Sequence, residues 1–72
     1  MNRIESQIDG EFTGWRGDTV FRLTNGQVWR QRRYAYHYQY AYRPKVLIYR
    51  EGSRYKMKVA GVNGELEVER VP

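Results

Sequence analysis

Cysteine is absent from this sequence, histidine occurs once and proline twice. The first absence removes both a disulfide framework and a thiolate zinc site. The chain must hold itself together by packing alone, near the lower size limit at which one hydrophobic core suffices. A small domain without disulfides fits a reducing compartment. Long apolar runs are missing too. No stretch approaches the roughly 20 apolar residues of a membrane span, and charges scattered through the first thirty positions leave no signal-peptide core. The expectation is one cytoplasmic domain over residues 1–72, with no membrane partner.

The usual groupings of catalytic residues are scarce as well. His37 stands between Tyr36 and Tyr38 with no acidic residue nearby in sequence, which suits a packed or surface side chain better than a general base. Asp9 and Glu11 share a strand face about 6.7 Å apart. A carboxylate pair at that spacing could flank a glycosidic bond, but alternating charges on a solvated strand account for it more simply. The same holds for Glu65, Glu67 and Glu69, which lack any EF-hand-like spacing. Gly10, Gly14 and Gly17 do not form a phosphate-binding loop. We expect no enzyme, no catalytic residue, no metal or cofactor site, and no small-molecule substrate.

What the sequence does contain is β patterning, basic charge and tyrosine. "IDGEFTGW" alternates and is broken by glycines, as a strand bent at a barrel corner would be. "GDTVFRLT" and "QVWRQ" flank Asn25-Gly26, the strongest short hairpin signal, here read as a type I′ turn. "KVLIY", "RYKMKVA" and "ELEVERV" supply further short strands separated by "EGS" and "VNG". The fold class expected is all-β, a small antiparallel SH3-like barrel of five or six strands, with an OB-like arrangement second. Its core is drawn from Ile4, Ile8, Phe12, Trp15, Val20, Phe21, Leu23, Val28, Trp29, Val46, Leu47, Ile48, Met57, Val59, Val62, Leu66, Val68 and Val71.

"IDGEFTGWRGDTVFRLTNGQVWRQ" followed by "YAYHYQYAYRPKVLIY" resembles a family of short bacterial proteins of uncharacterised function. The likeness spans about residues 6–60. It implies a compact β-domain and carries no activity or site residue with it. After Trp29 the family pattern has Gln-Gln and small polar residues, where this chain has Arg30, Gln31, Arg32 and Arg33.

Charge is unevenly spread. Residues 27–58 hold nine basic groups against Glu51, a net +8, whereas residues 1–26 sum to −1 and residues 59–72 to −2. Within the basic part lies "RRYAYHYQYAYRP", in which Tyr34, Tyr36, Tyr38, Tyr40 and Tyr42 alternate with Ala, His, Gln and Ala. Alternation and tyrosine content favour strand. One straight strand from Gln27 to Arg43 would reach roughly 55 Å, about twice the 29 Å width expected of a domain this size. The chain must therefore bend, with Arg32–Tyr34 or His37 as the expected place. Pro44 disfavours helix at Arg43, so the exit into "KVLIY" is expected to be extended.

The expected working surface is Arg30, Arg32, Arg33, Tyr36, Tyr38, Tyr40, Arg43 and Lys45. Rings about 6.7 Å apart suit splayed single-strand bases better than a stacked duplex. Single-stranded nucleic acid is thus the leading partner class, and protein contact or self-association through the tyrosine face is the alternative. We further expect the rings to divide: Tyr34 and Tyr42 against the core, Tyr38 freest to meet a partner.

Overall fold

Alternation decides the secondary structure. In the computed structural model, which describes residues 3–72, eight strands follow one another with no helix. They are β1 (Arg3–Gln7), β2 (Glu11–Trp15), β3 (Val20–Arg22), β4 (Val28–Gln31), β5 (His37–Tyr42), β6 (Lys45–Glu51), β7 (Arg54–Val59) and β8 (Leu66–Val71). Six form one antiparallel sheet in the order β1-β6-β7-β8-β4-β3, and β2 and β5 form a separate two-stranded ribbon. The sheet curls into a half-barrel. Its two edge strands approach at one end, where Ile8 bridges Leu23, Asp9 N–H donates to the Arg22 carbonyl at 2.8 Å, and Thr24 N–H donates to that of Gln7 at 2.9 Å.

The ribbon lays its inner face on the same core. Phe12 and Trp15 from β2 join Ile8, Phe21, Leu23, Trp29, Val46, Ile48, Met57, Val59, Leu66 and Val68 in one buried cluster. Phe12 stacks on Phe21 at 6.4 Å and meets Trp15 edge-on at 6.2 Å. All twelve of these residues belong to the core expected from sequence. Val20, at 50% exposure, and half-buried Val28, Leu47 and Val71 fall outside it, because adjacent Phe21, Trp29, Val46 and Ile48 take the inward positions and Val71 lies opposite Val28. Successive side chains cannot both face the core.

Two turns differ from expectation. The hairpin at Asn25-Gly26 forms, but its turn is not type I′. Gly26 N–H donates to the Leu23 carbonyl at 3.1 Å, so Thr24 and Asn25 are the central residues. Only Gly26 of the three loop residues has positive φ, at 90°. This is the three-residue loop in which a type I turn is followed by a left-handed glycine. The Asn25 side chain accepts from Gln27 N–H at 3.0 Å, which favours the longer loop.

The exit from β5 is likewise a tight corner and not extended chain. Arg43 has φ 49°, the only non-glycine residue with positive φ among the described residues. Such a conformation costs an L-residue about 1–2 kcal/mol. It is held by Arg43 N–H to the Gly10 carbonyl at 2.8 Å, Gln7 Nε2 to the Arg43 carbonyl at 3.1 Å, and Ile8 N–H to the Pro44 carbonyl at 3.0 Å. Three bonds outweigh the local preference.

Candidate functional site

The tyrosine segment is placed by one buried amide. After β4 the chain leaves the sheet and runs irregularly over residues 32–36 before β5, which is the bend the length conflict requires. Gln31 follows Trp29 by two positions on β4, so its side chain points inward and is buried. Its Nε2 faces the carbonyls of Arg33 at 2.9 Å and Ala35 at 3.1 Å, together with that of Arg16. Its Oε1 accepts from Thr19 N–H at 3.3 Å. An amide has two hydrogens for three acceptors, so one bond is shared. The side chain ties the crossing segment to the β2–β3 turn.

β5 then pairs with β2: Glu11 opposite Tyr42, Phe12 opposite Ala41, Gly14 opposite Tyr38 and Trp15 opposite His37. Between Phe12 and Gly14 lies only Thr13, whereas β5 has Gln39 and Tyr40 between Ala41 and Tyr38, so the bulge is on β5. Gly14 makes this possible. Its φ of 100° suits glycine, and an added Cβ would collide with the His37 carbonyl and lie 3.0 Å from Tyr38 Cα. β5 backbone occupies the space a side chain would need.

The phase of β5 is opposite to the one expected at its ends. Ala35 and Ala41 pack against the core, His37 and Gln39 are half-buried, and every tyrosine of the run faces out, at 54–80% exposure. Tyr34, expected to be among the more buried, is the most exposed of the five, and Tyr42 is 67% exposed. The reason is volume. Phe12, Trp15, Phe21 and Trp29 already fill the interior beneath the ribbon, leaving room for alanine-sized contacts. The run also fits across the molecule without curving, since the longest molecular dimension is 29 Å, about the length of nine extended residues.

The basic residues expected beside the rings have other partners. β8, the acidic strand, lies between basic β7 and β4. Arg30 holds Glu69 with Nη2 at 2.6 Å, and that hydrogen bond lowers the Glu69 pKa below its ordinary value. Glu67 is buried on the outer side of the sheet beneath Arg32 Nε at 3.1 Å, Arg54 Nη1 at 3.5 Å and Arg33 Nη1 at 4.0 Å. Lys56 meets Glu51 and Lys58 meets Glu65. Six of the nine basic groups in residues 27–58 are thus ion-paired, leaving Arg43, Lys45 and Arg50 without an acidic partner among the described residues. Of the expected surface, Tyr36, Tyr38 and Tyr40 share the ribbon face, with Arg43 and Lys45 around its end. Arg30, Arg32 and Arg33 face the acidic strand.

Other candidate chemistry remains modest. His37 stacks on Trp15 at 5.4 Å and lies 3.2 Å from Gln39 Oε1. Asp9 and Glu11 line a groove of about 350 Å³ between β2 and β3, with buried Phe12 and Phe21 below and Arg22 on its rim. Among the described residues no three His, Cys, Asp or Glu side chains converge as metal ligands. No helix there is long and apolar enough to cross a membrane. No protein-family model, curated protein or solved structure matches this chain.

Proposed function

We propose that this chain is a non-catalytic binding module of the cytoplasm, and that the outer face of the β2–β5 ribbon is its contact surface for another protein. The observation that carries this reading is the row of five tyrosines left 54–80% exposed by their own fold. Burying one such ring is worth on the order of 2 kcal/mol, a large share of a small domain's stability. Contiguous exposed apolar surface of this kind marks contact sites. Tyrosine also brings contact area at low entropic cost.

The disposition of charge favours a protein over a nucleic acid. A phosphate backbone would have to displace Glu67 and Glu69 from Arg30, Arg32 and Arg33. Glu11 also stands on the tyrosine face, 3.4 Å from the Tyr40 hydroxyl, whose pKa is raised above its ordinary value by desolvation and by the Glu11 carboxylate. Arg43 and Lys45, without an acidic partner among the described residues, are the observation that keeps single-stranded nucleic acid as the second reading.

Labelled single-stranded DNA and RNA titrated at two salt concentrations separate the two. We expect weak binding that is indifferent to Tyr36→Ser, Tyr38→Ser and Tyr40→Ser combined. Tyrosine-dependent binding with a log–log salt slope of about −0.7 per phosphate would replace the protein reading. In parallel, a photo-crosslinking residue at position 38 should form discrete protein adducts, and one at exposed Ser53 should not.

A further inference from the structure

We infer that the protein meeting the tyrosine face is a second copy of this chain, docked face to face about a two-fold axis. The axis lies in the interface and crosses the ribbon at the level of Tyr38 and Gly14. The inference rests on the reading above, that the ribbon's outer face contacts protein. It adds the partner and the geometry.

Area comes first. At about 200 Å² for a whole aromatic side chain, the exposed fractions of the five rings amount to on the order of 700 Å². That is about a seventh of the 4958 Å² molecular surface and exceeds the largest apolar patch of an ordinary monomer. A stable, specific interface buries about 800 Å² on each partner. Two tyrosine faces laid together come close to this without recruiting other surface.

Charge selects the orientation. Glu11 lies opposite Tyr42 at one end of the ribbon, and the Arg16 carbonyl accepts from Ala35 N–H at 3.3 Å towards the other. Both residues are exposed and neither has an ion-pair partner among the described residues. An axis across the strands reverses the ribbon's direction between copies and sets Glu11 of each against Arg16 of the other. Glu11 stands three residues before Gly14 and Arg16 two after. The mismatch is about 3.3 Å, within the reach of an arginine side chain. An axis along the strands would superpose like ends and leave both charges unmatched. Because the contact is isologous, each pairing occurs twice.

The centre fits as well. Tyr38 is third of the five rings, so the same axis brings it to its own copy, with Tyr36 near the second copy's Tyr40. Gly14, directly opposite Tyr38 on the ribbon, adds no side chain to the face there. Fully desolvated central tyrosines of this kind dominate interface energies.

Sedimentation over a range of loading concentrations, on the whole chain, tests the inference. The wild type should pass from the 8.7 kDa monomer to a dimer, and most of the dimer should remain when salt screens the two ion pairs. Tyr38→Ser should raise the dissociation constant about tenfold. Glu11→Arg and Arg16→Glu should each raise it about fivefold, two ion pairs being lost per dimer. The double variant Glu11→Arg/Arg16→Glu restores both pairings and should return to within about twofold of wild type. All three side chains altered are exposed, and unchanged thermal melts will verify the folds. A dimer indifferent to Tyr38→Ser, or a double variant no tighter than the singles, overturns this docking. A monomer at every concentration overturns the second copy but leaves the protein-contact reading standing if the crosslinker at position 38 captures a different protein. Monomer with no adduct at position 38 overturns both.

Discussion

Replacing Gln31 with leucine removes the buried polar side chain that ties the tyrosine segment to the β2–β3 turn. Leucine fills similar space but donates nothing to the Arg33, Ala35 and Arg16 carbonyls and accepts nothing from Thr19. Two donated bonds at about 1 kcal/mol each are lost. Arg33 and Arg16 are exposed, so their carbonyls can turn to water, whereas Ala35 packs against the core and its carbonyl is stranded. That adds about 1–2 kcal/mol. The apolar leucine side chain recovers about 1 kcal/mol by burial. The net loss is about 2–3 kcal/mol, against a total of roughly 4–11 kcal/mol for a chain of this length. Urea unfolding followed by tryptophan fluorescence reads this directly. Gln31→Glu should be worse at neutral pH, because it aims a carboxylate at three carbonyls. A Gln31→Leu loss within about 0.5 kcal/mol of zero would refute the reasoning, as would a glutamate variant more stable than the leucine one.

Gly14→Ala should cost at least about 3 kcal/mol, combining positive-φ strain with the collision against β5. Near-ultraviolet circular dichroism of Trp15, which stacks on His37, should report the displaced ribbon. Glu67→Gln/Glu69→Gln releases Arg30, Arg32, Arg33 and Arg54, and should tighten single-stranded DNA binding at low salt by about tenfold over wild type. No gain would mean that these carboxylates do not withhold the arginines. The pH profile has two limbs. Glu69 has a lowered folded pKa, so its contribution is present above the ordinary 4.5 and is lost as pH falls through the lower value. Thermal melts should drop on that acid limb and less so in Glu69→Gln. The Tyr49 hydroxyl donates to Glu65 and its pKa is pushed up to about 12 from 10.0. Its contribution is therefore complete below pH 10.0 and lost towards pH 12; Tyr49→Phe should abolish that alkaline loss.

Period-two alternation made the all-β class, the core residues and the Asn25-Gly26 hairpin legible in the sequence. Phase was harder to read. The tyrosines and the Ala-His-Gln-Ala set alternate equally well, and which set faces inward depends on the space already taken by Phe12 and Trp15. Counting that volume first would have turned the alanines in. Gln31 was visible in principle: two residues after Trp29, a polar side chain had to occupy an inward position. Glu67 shows what local pattern omits. Its neutralisation of Arg32, Arg33 and Arg54 depends on β8 lying between β4 and β7, a long-range pairing. The basic middle and the acidic end of the chain attract each other before either meets a partner. Arg43 gave no local warning of its left-handed turn, which is imposed by bonds to Gly10 and Gln7 far back in the chain.

On the inference above, the tyrosine face is the surface through which the chain meets its own copy. Amide nitrogen–proton spectra recorded from micromolar to millimolar concentration test it most directly. Concentration-dependent shifts should be confined to residues 11–16 and 34–42, and Tyr38→Ser should move their midpoint to about tenfold higher concentration. Shifts centred on β6 and β7, or a spectrum that does not change on dilution, would contradict it.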